Sequence, residues 1–165
     1  MKILSFIAPQ DYQDQEYGDS KMVLEANGHV VITASTAYDV TGKFGSKTKV
    51  DVLLNEVEEK NYSAIIFIGG PGIYDYFDNQ LCQKLAKEFY NAGKLTCAIC
   101  AGPSVLANAG ILSGKKATCF ESEIENLKIK GANYTGNDVE IDGNIITANG
   151  PHSAIKFGEA ITEIL

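Results

Sequence analysis

Residues 63–68 (SAIIFI) form an apolar run with no polar face, and Gly69-Gly70-Pro71-Gly72 breaks it at once. A strand of that kind needs cover on both sides, which helices flanking a parallel sheet provide. Further apolar runs occur at 2–8 (KILSFIA), 29–35 (HVVITAS), 95–99 (LTCAI) and Ala117 to Phe120. Helical spacing separates them. Residues 15–27 set Met22, Val23 and Ala26 on one side and end at Asn27-Gly28. Residues 79–92 align Leu81, Cys82, Leu85, Ala86 and Phe89 and close at Gly93. Pro151 to Leu165 reads as a last helix with Ala154, Phe157, Ile161 and Leu165 inward. Residues 36–50 read as a polar loop with a short extended piece. Asp51 is placed to cap a helix through Glu58, and Ser122 with Glu125 has capping-box spacing for a short helix to Ile129. Asp142-Gly143-Asn144 between two β-branched runs signals a hairpin. The alternation predicts an α/β layered fold with a mostly parallel sheet, as one domain over residues 1–165.

Composition narrows the function classes. The formal net charge is −7, which argues against nucleic acid and anionic membrane as partners. All 14 basic residues are lysines, so no guanidinium fork exists for bidentate phosphate or carboxylate binding. No apolar run approaches the ~20 residues of a membrane span. Met1-Lys2-Ile3 leads straight into a strand pattern without signal-peptide character. Cys82, Cys97, Cys100 and Cys119 are unevenly spaced, which fits reduced thiols in a cytoplasm. Two histidines and scattered cysteines lack metal-ligand spacing.

Chemistry concentrates at Ala98-Ile99-Cys100-Ala101-Gly102 with Pro103 behind it. A strand runs into Cys100 and a helix-like stretch leaves it, which is a nucleophile on a sharp strand-to-helix turn. The following helix would aim its N–H groups at the sulfur and lower the thiol pKa. Cys97 and Cys100 also form a C-x-x-C, but three residues of strand separate their Cα atoms by roughly 10 Å, beyond disulfide reach. Cys119 ends a strand that could approach the same site, as a resolving thiol or as core. Gly69 and Gly70 let backbone approach a ligand, and the Gly70 and Ala101 N–H groups would form an oxyanion hole. A phosphate-loop reading is weak, because no lysine lies near in sequence. Glu16 opens the first helix beyond the first strand, with Asp11, Asp14 and Asp19 as competing acids. His152, after Gly150-Pro151, is either a base for Cys100 or a helix-start residue. His29 lies at the opposite end of the sheet.

Ala-Ile-Cys-Ala-Gly-Pro (98–103), Ile-Gly-Gly-Pro-Gly (68–72), Lys-Ala-Thr-Cys-Phe (116–120) and Asn-Gly-Pro (149–151) resemble the ThiJ/PfpI superfamily. The form around Cys100 resembles its Parkinsonism-associated DJ-one branch. The resemblance covers essentially the whole chain. It implies a flavodoxin-like three-layer sandwich, a homodimer, and a glutamate whose protonated carboxyl bonds the reactive thiolate. Counted back from Gly28, that glutamate is Glu16. The chain departs from the family at Gln13, where the PfpI branch carries a further glutamate, and at Phe120, where a histidine or tyrosine is common. It also lacks the branch's pocket arginines.

The resemblance implies glyoxalase or deglycase chemistry on small carbonyl compounds. The Cys100 thiolate would add to an α-oxoaldehyde, with Glu16 shuttling protons and no dissociable cofactor needed. The alternative is a redox sensor whose exposed thiolate oxidises to sulfinate without turnover. A cysteine protease, which would need a Cys100–His152 pair, and a chaperone complete the readings. The expected pocket comprises Gly69, Gly70, Cys100, Ala101, Cys119, Phe120, Pro151 and His152. The expected dimer surface is an apolar patch at Met22 and Val23.

Overall fold

The computed structural model describes residues 1–165. Its seven-stranded sheet consists of β1 (Lys2–Phe6), β2 (Val30–Ser35), β3 (Val52–Leu53), β4 (Ala64–Phe67), β5 (Leu95–Ile99), β6 (Val139–Asp142) and β7 (Ile145–Ala148). The order across the sheet is β6-β7-β5-β4-β1-β2-β3, and every pair except the β6–β7 hairpin is parallel. Helices α1 (Asp14–Ala26) and α5 (Ala154–Ile164) pack together on one face. Helices α2 (Gln80–Asn91), α3 (Pro103–Asn108) and α4 (Ile124–Ile129) form the other layer. The result is the three-layer α/β sandwich with a mostly parallel sheet that the sequence implies.

The apolar runs explain the core. All four residues of β4 and all five of β5 are buried, because helices cover both faces of the central strands. Asn79 caps α2 by accepting the Leu81 and Cys82 N–H groups at 3.1 and 3.0 Å. The helix then buries Cys82, Leu85, Ala86 and Phe89, as its spacing predicts. No helix is long and apolar enough to cross a membrane.

Four local expectations fail for identifiable reasons. Helix α1 buries Glu16, Tyr17, Ser20 and Leu24, not the Met22 side. Its inner polar groups are satisfied locally: Tyr17 Oη meets Thr33 Oγ1 at 2.6 Å and Ser20 Oγ donates to the Glu16 carbonyl at 2.6 Å. Met22 is exposed, and half-buried Val23 packs against Gly158 of α5. Asp51 starts no α-helix; its carboxylate accepts the Thr33 N–H at 3.0 Å, and short 3-10 turns follow β3. Of the run from Ala117 to Phe120 only Ala117 pairs as a strand, in Lys116–Ala117 against Asn133–Tyr134 outside the main sheet. Ser122 does not cap α4; a 3-10 turn at Glu121–Glu123 precedes that helix, and the Ser122 hydroxyl bonds Tyr74 and Glu123 instead.

Candidate active site

Loops leaving the carboxyl ends of β1, β4, β5 and β7 converge, as parallel-sheet geometry requires. Backbone bonds hold them in register. The Gln13 N–H donates to Gly69 O at 3.0 Å, Cys100 N–H to Ala148 O at 2.9 Å, and Phe120 N–H to Cys100 O at 2.8 Å. Cys100 follows β5 directly and sits at φ 62°, in the left-handed region. That conformation costs a non-glycine residue about 1–2 kcal/mol and persists only where the surroundings enforce it.

Two glycines permit the turn. A Cβ on Gly69 would lie 2.6 Å from Cys100 Cβ and 2.7 Å from Glu16 Oε2. A Cβ on Gly102 would lie 2.5 Å from the Phe67 carbonyl oxygen. Side chains at either position would push the elbow off the adjoining strand end.

Glu16 is completely buried beneath the elbow. Gln13 caps α1, its Oε1 accepting the Glu16 N–H at 3.0 Å, and so fixes where Glu16 leaves the helix. Glu16 Oε2 accepts the Gly69 N–H at 2.9 Å. Oε1 has no N–H or O–H partner, and the carboxyl lies against the Cys100 thiol. Asp11 is exposed and Asp14 faces the loop at Phe44 and Ser46; of Asp11, Asp14, Glu16 and Asp19, only Glu16 acts on the thiol.

Burial raises the Glu16 pKa to about 7, against the opposing pull of the Cys100 and Gly69 hydrogen bonds and of Lys43. Burial also pushes the Cys100 thiol up, and the Glu16 carboxylate adds to the rise. The sequence expectation of a thiol lowered by a following helix is therefore not met. Helix α3 has only six residues, and Cys100 is 8% exposed. What favours negative charge on the sulfur is the Gly70 and Ala101 N–H groups that face it. The rise assigned to Glu16 belongs to its ionised form. Protonation of Glu16 would remove that repulsion and let the pair carry a single negative charge.

The thiol opens into a cleft of about 230 Å³. Of the expected pocket residues, Gly70, Cys100, Ala101, Phe120 and Pro151 line it. Gly69 lies behind it with Glu16. Cys119 is buried outside it, its thiol raised to about 12 by burial and then by Glu123. His152 is exposed and its Nε2 faces Asp138 Oδ1 at 3.6 Å, so no Cys100–His152 pair forms. All four cysteines are free, with Cys97 fully buried in β5. No cluster of three or more His, Cys, Asp or Glu side chains is arranged to hold a metal ion.

Lys43, Tyr74 and Gln13 also line the cleft. Lys43 is distant in sequence from the glycine turn, which is why sequence reasoning saw no lysine near it. Asp14 takes the Phe44 and Ser46 N–H groups at 2.9 and 3.0 Å, and Tyr12 O takes the Lys43 N–H at 2.9 Å. Those bonds fold the 42–46 loop over the start of α1 and bring Lys43 to the mouth.

Comparison with known proteins agrees with this architecture. The chain is 42% identical over 161 residues to an uncharacterized protein of Methanocaldococcus jannaschii, covering 95% of this chain and 78% of that one. It is 31% identical to the deglycase PfpI of Pyrococcus furiosus, over 100% and 99% of the two chains. The crystal structure of a ThiJ/PfpI domain protein from Brachyspira murdochii superposes with a TM-score of 0.97 at 34% identity, covering 99% and 95%. The model of the DJ-1/PfpI family matches residues 1–164. This chain, with its strained cysteine over a buried glutamate, belongs to the DJ-1/PfpI family.

Proposed function

We propose that the protein converts small α-oxoaldehydes to hydroxy acids through Cys100, without a dissociable cofactor. The observation that carries this reading is the buried Glu16 carboxyl, bonded by the Gly69 N–H and set against the Cys100 thiol. The similarity to a deglycase over the full chain length supports carbonyl chemistry.

In this mechanism the thiolate attacks the aldehyde carbon and the carbonyl oxygen becomes an alkoxide held by the Gly70 and Ala101 N–H groups. Glu16 protonates that oxygen to give a hemithioacetal. The ionised Glu16 then removes the proton from the former aldehyde carbon, giving an enediol as the neighbouring oxygen is protonated, and returns a proton to the neighbouring carbon while the C1 hydroxyl gives up its proton, leaving the thioester of a 2-hydroxy acid. Water hydrolyses the thioester, restoring thiol and carboxyl. One methylglyoxal and one water give one lactate, so no external oxidant or reductant enters. Lys43 at the mouth would attract an anionic group on the substrate. Reduced wild-type protein is expected to form lactate from methylglyoxal, and Cys100→Ser to form none above background. Absence of lactate with the wild type overturns the reading.

Phe120 favours a second reading. It lines the cleft where the family often has a titrating side chain, so no imidazole assists turnover. In that case the thiolate consumes two peroxide molecules, gains two oxygens as sulfinate and releases two waters, with Glu16 donating to the product. The Ala98–Pro103 form supports a place near the DJ-one branch. The same reading holds the chain as a cytoplasmic homodimer, which sedimentation tests.

A further inference from the structure

Gly70 and Ala101, whose N–H groups face the Cys100 sulfur, stand on different segments. Gly70 opens the 3-10 turn Pro71–Tyr76 after β4, and Ala101 lies in the elbow that leads into α3. Strands β4 and β5 pair as far as Phe67 opposite Ala98. Beyond that point no backbone hydrogen bond joins residues 69–79 to residues 100–109. Side chains make the crossing, with Glu123 at its centre.

Glu123 is 4% exposed and forms no ion pair. Its Oε1 accepts from Ser104 Oγ at 2.8 Å and its Oε2 from Ser122 Oγ at 2.8 Å. Ser104 is fully buried in the first turn of α3, and its N–H donates to the Ala101 carbonyl at 3.1 Å. Ser122 Oγ meets Tyr74 Oη at 2.7 Å, and the neighbouring Ile73 N–H donates to the Gly70 carbonyl at 3.3 Å. A second crossing runs beside the first. Asn126 Nδ2 donates to Ser104 Oγ at 3.0 Å and to Asn108 Oδ1 at 2.9 Å, and Asn108 Nδ2 donates to Asp78 Oδ1 at 2.9 Å. A carboxylate buried without a cation is costly. An apolar side chain would fill the space, but it could not accept protons from two segments at once.

We propose that Glu123 is a positioning residue that, with one oxygen on Ser104 and the other on Ser122, ties the elbow helix to the turn after β4 and holds the Ala101 and Gly70 N–H groups at a single spacing around the oxyanion. It touches neither the sulfur nor the substrate. Hydrogen bonds weaken steeply as their angle opens, so a bridge that lets the two segments part costs transition-state stabilisation without removing either donor. The role rests on the oxyanion site of the proposed mechanism, and not on turnover.

Two reagents that react with the same thiolate separate this role from a general loosening of the fold. The thiolate attacks the carbonyl carbon of p-nitrophenyl acetate, the π pair moves onto oxygen, and the oxyanion collapses with loss of p-nitrophenolate, leaving Cys100 acetylated. Iodoacetamide loses iodide in a displacement that develops no oxyanion. The ratio of acetylation to alkylation rates, normalised to glutathione, cancels any change in thiolate fraction. Wild-type protein is expected to favour acetylation by about a hundredfold. One carboxamide oxygen cannot accept both serine protons, so Glu123→Gln breaks the bridge and is expected to lower the ratio about tenfold. Ser122→Ala, at an exposed position where folding does not depend on the hydroxyl, cuts the arm to Tyr74 and is expected to lower it about threefold. That variant decides the matter if Glu123→Gln does not fold. Adding Ser122→Ala to Glu123→Gln should lower the ratio no further, because one bridge is already broken. A wild-type ratio equal to that of glutathione, a ratio unchanged in either variant even where thermal unfolding shows a loss, or effects of the two substitutions that multiply, overturns the inference. The expected ratios without lactate formation would sustain the bridge and overturn the proposed turnover instead.

Discussion

Glu16 accepts the Gly69 N–H at 2.9 Å from a position with no solvent exposure, 53 residues away in the chain. That single bond joins the first helix to the glycine turn after β4 and holds the carboxyl against the Cys100 thiol. The whole site is arranged around it, and each consequence below can be measured.

Removing the charge from Glu16 should stabilise the fold above neutral pH. Its folded pKa of about 7 lies above the ordinary value of 4.5, so the folded state binds the proton more tightly than the unfolded one. The associated stability is fully present below pH 4.5 and is lost as the pH rises through about 7. A shift of that size corresponds to on the order of 3 kcal/mol. Glu16→Gln is expected to gain stability in urea unfolding at pH 8, with little gain at pH 4, while losing lactate formation. A variant less stable than wild type at pH 8 contradicts this.

Gly69→Ala should disturb both partners at once. Its new Cβ meets Cys100 Cβ, Glu16 Oε2 and the Ile99 carbonyl oxygen, and backbone cannot yield as a flexible side chain does. Overpacking of this kind costs about 1–3 kcal/mol. Thermal unfolding should show the loss, and Cys100 alkylation should slow with it. An alanine variant of wild-type stability and reactivity would mean that the glycine is not required.

Lys43→Met should act on anionic ligands more than on neutral ones. The lysine is exposed, so its charge is screened and its effect modest. KM for glyoxylate should rise roughly two- to fivefold relative to that for methylglyoxal. Because Lys43 pulls the Glu16 pKa down, the variant's Glu16 inflection should move up. Equal changes for both substrates would remove Lys43 from ligand recognition.

Mild peroxide should act on Cys100 alone. Cys82 and Cys97 have no exposed surface and Cys119 has 1%, and burial pushes Cys82 and Cys119 thiols up to about 12. Intact mass with peptide mapping should place a gain of two oxygens on Cys100. Equal oxidation of all four thiols would contradict an activated site.

Much of this arrangement is legible in the sequence, and the failures share a cause. The unbroken apolar runs of β4 and β5 specify a covered parallel sheet, and the small residues around Cys100 specify its turn. Periodicity misreads α1 because its buried face carries Glu16 and Ser20, polar residues kept inside for the site. Those are the positions where a search for an apolar stripe looks the wrong way. Lys43 is invisible because side-chain bonds from Asp14, not sequence proximity, bring it to the cleft. His152 is misplaced for the converse reason. Its turn stands at the correct sheet edge, but the exposed ring finds Asp138.

The pH dependence of Cys100 alkylation by iodoacetamide tests the Glu16–Cys100 pair most directly. The pair's first proton should leave with an inflection near the Glu16 value of about 7, and the proton that remains is the one shared between sulfur and carboxyl. The rate should climb through that pH, level off above it, and lose this inflection in Glu16→Gln. No inflection between about pH 5 and 9 in the wild type, or the same inflection in Glu16→Gln, would contradict a proton held between the two residues.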